Sequence, residues 1–283
     1  MAKNQTLSLR SQWLGERLRA ARVRSGYNQQ QAGEYLRLEL SAISRFERGT
    51  QPIRPSYIRD LISFYGIDNA RERDALLRLS EDSWRKDWWD GDTDGLETGF
   101  IDYTWLESRA TQIREFSPMI VPGLLQTEDY IKAIMMHSPG DPTAEEVKRL
   151  VELRLTRQRI LESAEPTSLS AVIGEAALRR AIGGPEVRIG QLRHLTALPP
   201  HIKVRILPDS AGWSPDCKGP FTHFEMPDPY PEVAYIESLV DRTFFEEPSR
   251  VSAFRAAYAD VARIAYSPEK SRDYIRSLTE ELT

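Results

Sequence analysis

The 283 residues predict two domains of different class: an all-α domain of five helices over 1–80, then an α+β domain over 105–283 with a small antiparallel sheet. Three observations predict this. Gly26, Gly49, Pro52, Pro55 and Gly66 punctuate the first seventy residues into short helical stretches. Beyond residue 105 the patterns run helices, strands, helices. Between the two, 81–104 is rich in Trp, Asp and Gly and reads as a connector.

In the first domain Leu14, Leu18 and Ala21 share one face of a helix over 13–25, and Gly26 stops it. Asn28 is placed to cap a helix over 29–36. A third helix covers 40–48 and ends at Gly49. Pro55 suits the first position of a fourth, whose stripe is Ile58, Leu61, Ile62 and Tyr65. Asp68 is placed to cap a fifth, over 69–80.

In the second domain, helices are predicted over 105–116 and 127–137, the latter capped by Thr127. Thr143 and Glu146 make a capping box for a long helix reaching 162. Strands are predicted over 169–173, 202–207, 221–226 and 233–238. Helices over 175–182 and 186–198 lie between the first two strands. Pro248 opens one more helix and Ser267-Pro268 the last.

Charge sharpens the division. Residues 1–66 carry eleven basic and five acidic side chains, a net +6 that leaves −10 on the rest of a chain whose total is −4. A basic module on an acidic body suits attraction of nucleic acid through one face. No apolar run reaches the roughly 18 residues of a membrane span, and the N-terminus lacks the pattern of a secretory signal. With Cys217 alone, an intrachain disulfide is excluded and a cytoplasmic location is expected.

Two short helices with a tight connection over 28–49 have the layout of a helix-turn-helix, whose second helix enters the DNA major groove. Leu40, Ser41, Ser44 and Arg45 are expected on its outward side, with Ile43 and Phe46 inward. Arg45 can fork onto a guanine and Leu40 can touch a thymine methyl. Gln29, at the helix entry, is expected to donate to a phosphate, and Arg48 and Arg54 suit phosphate contacts. Glu47 is expected to pair with an arginine of its own domain.

Gly26, Gln29, Ile43-Ser44-Arg45 and Glu47-Arg48-Gly49 resemble the Xre/Cro/cI family of helix-turn-helix regulators, which implies a lambda-repressor-like fold, double-stranded DNA as partner and a homodimer on paired half-sites. The pattern departs from the family at Arg37, where a glycine turn is usual, at Ala32-Gly33, expected to weaken the second helix, and at Glu39, where Ser or Thr usually caps. From about residue 105 onward, Pro122-Gly123-Leu124-Leu125-Gln126-Thr127, Arg154-Leu155-Thr156-Arg157-Gln158, Glu175–Arg180, Gly183-Gly184-Pro185 and Gly219-Pro220-Phe221 resemble a domain of unknown function in actinobacterial regulators. Together the modules resemble antitoxin-like regulators of streptomycetes from toxin–antitoxin-like pairs. That resemblance implies a small protein partner encoded by an adjacent gene.

Chemistry beyond binding is sparse. Arg154, Arg157 and Gln158 on one long helix, with Glu175, are the candidates for a partner or ligand site. Glu175, Asp209 and Asp216 could hold a divalent metal, and Asp90, Asp92, Asp94 and Gly95 follow a calcium-loop spacing whose twelfth position is Ile101. The four histidines show no ligand spacing, and Cys217 with one of them as a nucleophilic pair would need a spatial proximity that the sequence does not give. The expectation is a DNA-binding transcriptional regulator, neither enzyme nor metalloprotein, without cofactor, whose second domain receives a protein or ligand signal. The alternative is a member of a toxin–antitoxin-like pair acting through mutual neutralisation.

Overall fold

The computed structural model describes residues 8–84, 98–137, 141–212, 217–239 and 241–283. Two compact units divide the chain, Met1–Trp105 and Leu106–Thr283.

The first unit is built from α1 (Leu9–Arg24), α2 (Gln29–Leu36), α3 (Leu40–Glu47), α4 (Pro55–Phe64) and α5 (Ala70–Trp84), the five helices expected. Leu14, Leu18, Ile43, Ile58, Leu76 and Leu79 form its core, each no more than 2% exposed. Asn28 closes a full capping box with Gln31. The cap of α5 is Asn69, whose side chain accepts the Glu72 N–H, rather than Asp68. The connector is structured at both ends: α5 runs to Trp84, and α6 (Thr98–Arg109) begins before residue 104. Within the first unit Asp102 accepts the Leu9 N–H at 3.1 Å, and Trp105 meets Trp13 edge-on at 5.7 Å. Trp88, Trp89 and the calcium-like spacing lie outside the described residues.

In the second unit β1 (Gln112–Ser117), β2 (Ser168–Gly174), β3 (Ile202–Leu207), β4 (Phe221–Glu225), β5 (Val233–Glu237) and β6 (Arg242–Phe245) form a sheet in the order β3-β2-β1-β4-β5-β6. This corrects the expectation of a small antiparallel sheet: six strands pair among the described residues, and β1, β2 and β3 run parallel. The reason is β1. Its residues QIREFS, expected as helix, form a central strand, so α7 (Glu128–Met135) and α8 (Ala144–Gln158) become a crossover from β1 to β2. The α9 (Glu175–Arg179) and α10 (Gly184–Thr196) pair then crosses from β2 to β3. Helical crossovers connect parallel neighbours, whereas the short links among β4, β5 and β6 return antiparallel. Thr127, Thr143 and Ser267 cap their helices as expected. Helix α11 (Pro248–Ile264) lies across one sheet face, where Tyr258 and Val261 pack with Phe116, Val172 and Phe221. The opposite face, with Ile113, Leu169, Ile173 and Ile206, is equally buried. Helix α12 (Pro268–Glu280) packs on α10 and β3.

Candidate nucleic-acid interface

The open chemistry of the first unit gathers on α3. Ala42, Ile43, Phe46 and Glu47 face inward, while Leu40, Ser41, Arg45 and Arg48 are exposed and Ser44 is half-buried. Positions 41, 44, 45 and 48 follow the i, i+3, i+4, i+7 spacing of one helical face. The outward set is the one expected from the sequence.

Backbone contacts hold this helix in place. A Cβ on Gly15 of α1 would fall 2.6 Å from the carbonyl oxygens of Phe46 and Glu47, so α1 and the end of α3 meet without side chains between them. At Gly49, φ is +70°. The Thr50 N–H returns to the Arg45 carbonyl at 3.0 Å and the Gly49 N–H to that of Phe46, also at 3.0 Å. This is a glycine-closed helix end. Gly33, expected to weaken α2, has a different role: a Cβ there would lie 2.8 Å from the Leu38 carbonyl oxygen, so glycine lets the turn close against the helix. Arg37 takes the left-handed turn conformation, φ 57° and ψ 42°, that glycine would adopt freely.

A buried polar knot lies beneath. Arg22 donates along one edge, from Nε to Glu47 Oε1 at 2.5 Å and from Nη2 to Oε2 at 3.0 Å, and from Nη1 to the Tyr27 carbonyl at 2.8 Å. Glu47 is thus paired within its own domain, as expected, and its carboxylate raises the Arg22 pKa above the ordinary value. Gln29 joins this knot, donating its amide to Glu47 Oε2 at 2.8 Å. One amide N–H of Gln29 is thus engaged internally, a tie that the sequence reading of Gln29 as a phosphate donor did not foresee. The buried carboxylate has a further acceptor site, and Gln29 stands half-buried beside it.

The surface arginines differ from this. Arg45 Nε–H donates to Gln51 Oε1 at 2.9 Å, and Arg48 Nε–H to the Ser44 carbonyl at 3.2 Å. The terminal nitrogens of both remain without partners among the described residues. Arg54 is exposed at the entry to α4, ahead of Pro55. Gln51 is the residue that sequence reasoning missed. Its separation of six from Arg45 matches no helical spacing, and only the turn at Gly49 brings the two together.

In the second unit the expected partner residues serve internal bonds. Gln158 donates to the carbonyls of Gly123 (3.0 Å) and Gln126 (2.8 Å), and Arg154 donates to Gln126 Oε1 (2.8 Å). Gln191 accepts the Thr127 N–H and donates to the Leu125 carbonyl. The short turn Gly123–Leu125 leaves carbonyls that no helix satisfies, and these side chains satisfy them. Arg157 makes a buried two-pronged pair with Glu107, at 2.8 and 2.7 Å. In place of the open anion site expected from these residues, Arg154 and Gln158 brace the Pro122–Thr127 stretch and Arg157 is paired with Glu107. Glu175 is committed as well, to the Tyr274 hydroxyl (2.5 Å), Arg179 (2.7 Å) and the Asp209 N–H (3.1 Å). The Tyr274 bond, more than the others, holds its carboxyl below the usual range. That leaves no open Glu175 for metal or partner. Asp216 lies outside the described residues, and among the described residues no group of three His, Cys, Asp or Glu could hold a metal ion.

Residues 100–277 match the family described as Domain of unknown function (DUF5753), and residues 13–76 match a family described as Helix-turn-helix domain. The chain belongs to the DUF5753 family. Neither the curated proteins nor the solved structures offer a match. The helix-turn-helix match spans the α3 surface described above and points to DNA binding. The DUF5753 match spans the whole sheet. Against that sheet lies a groove of about 520 Å³ lined by Phe221, Ile236, Ala253, Phe254, Ala257 and Lys218. On β1 of the DUF5753 domain, burial pushes the Glu115 carboxyl up to about 8, helped by Glu107 and opposed by Arg157 and Arg154. No described helix is long and apolar enough to cross a membrane.

Proposed function

We propose that this protein is a cytoplasmic, sequence-specific transcriptional regulator that acts by binding, not by turnover. It binds double-stranded DNA as a homodimer, placing α3 of each copy in the major groove. The observation that carries this reading is the outward face of α3, where Arg45 and Arg48 hold their terminal nitrogens clear of internal partners beside Leu40, Ser41 and Ser44. Arg45 reads a guanine edge; Arg48 and Arg54 hold phosphates. The DUF5753 domain receives the signal, from a small protein encoded by an adjacent gene or from a ligand. The groove beside α11 is apolar enough for a small molecule and supports the ligand route.

Selection from random duplexes with the full chain tests this. The expected product is an enriched inverted repeat with half-site centres about one helical turn apart. A pool that stays random after repeated rounds would refute the reading.

A further inference from the structure

We propose that Gln51 is a positioning residue for base recognition: it holds the Arg45 guanidinium by its Nε edge, so that the two terminal nitrogens project as a fork onto the O6 and N7 of one guanine. The proposal rests on the DNA-binding reading above and names the chemistry of one contact within it.

The geometry follows from the end of α3. Gly49 has a positive φ that lets the chain reverse at once, and its lack of a Cβ also admits Gln12 of α1, whose backbone nitrogen would lie 2.8 Å away. Thr50 fixes the reversal with two bonds to the Arg45 carbonyl, from its N–H at 3.0 Å and from its hydroxyl at 3.1 Å. The next residue, Gln51, then lies beside the Arg45 side chain and accepts its Nε–H at 2.9 Å.

An exposed arginine otherwise samples many rotamers, and recognition of a base must select one of them. A guanidinium has five N–H donors; occupying the Nε donor leaves the four terminal ones, two of which can lie parallel toward a purine edge. Arg48 supplies an internal comparison. Its Nε is bonded to the Ser44 carbonyl of its own helix, so its orientation owes nothing to Gln51.

The test uses the full chain and the duplex enriched by selection, with single base-pair replacements at every position. In Gln51→Leu, which has no acceptor, the preference for guanine at the base pair read by Arg45 should fall by about tenfold, while preferences elsewhere and the salt dependence stay unchanged. In Gln51→Glu, which keeps an acceptor oxygen, that preference should survive even as total affinity drops through repulsion from phosphate. Arg45→Ala combined with Gln51→Leu should match Arg45→Ala alone, because Gln51 acts through Arg45. The proposal is overturned if Gln51→Leu retains full guanine preference, if Gln51→Glu loses it as completely as Gln51→Leu, or if the double variant is weaker than Arg45→Ala. Those failures leave the DNA-binding reading intact. Absence of any wild-type motif removes that reading and this contact with it.

Discussion

Glu47 sits where three demands meet: it neutralises Arg22, takes the Gln29 amide and ends α3. Its side chain is 4% exposed and that of Arg22 11%. Removing one partner of such a pair strands a buried charge, which costs about 3–5 kcal/mol. Glu47→Ala is expected to lose that much in urea unfolding followed by circular dichroism; a loss below about 1 kcal/mol would place the pair among weak surface bridges. Glu115 gives a pH signature of opposite sense to the usual carboxylate. Its folded pKa of about 8 lies above the ordinary 4.5, so between those values the folded chain holds the proton that the unfolded chain releases. Stability from this group is complete below the lower value and drains away as pH rises toward 8. Glu115→Gln should therefore melt several degrees above the parent near pH 8 and together with it near pH 5, read by thermal denaturation across pH. Parallel curves for the two proteins would contradict this.

The elements show why glycine is placed where it is. With Gly15 replaced by alanine, a methyl group meets two carbonyl oxygens of α3 at 2.6 Å, and because both are backbone atoms one of the two helices has to move. Gly15→Ala is expected to cost about 1–3 kcal/mol and to weaken DNA binding beyond that loss, because α3 must shift. Full affinity in a folded variant would show that α3 tolerates displacement. Helical elements were legible because their apolar stripes and caps are local: Asn28, Thr127, Thr143 and Ser267 each name a helix start. Strand β1 was not legible. Arg114 and Glu115 sit adjacent on a central strand and look like helix-surface residues. Arg114 is tolerated there because Glu225, at 2.9 Å, and His223, at 3.3 Å, meet it from β4, more than a hundred residues away. Missing β1 hid the crossovers, and with them the parallel half of the sheet. The outward face of α3 was legible from helical spacing alone. The inward turn of Gln29 and the internal use of Arg154, Gln158 and Glu175 were not, since their partners lie far along the chain.

At the scale of the molecule, a basic first module precedes an acidic remainder, +6 against −10 over residues 1–66 and 67–283. Such a division favours one orientation of approach to a polyanion and strong dependence of affinity on salt. In the proposed complex, the outward face of α3 occupies the major groove. Dimethyl sulfate reports this directly, because it methylates guanine N7 in the major groove and adenine N3 in the minor groove. On the selected duplex the wild-type protein is expected to shield guanine N7 within each half-site, and Arg45→Ala to leave that guanine open. Shielding confined to adenine N3, or guanine protection that persists in Arg45→Ala, would contradict that placement of α3.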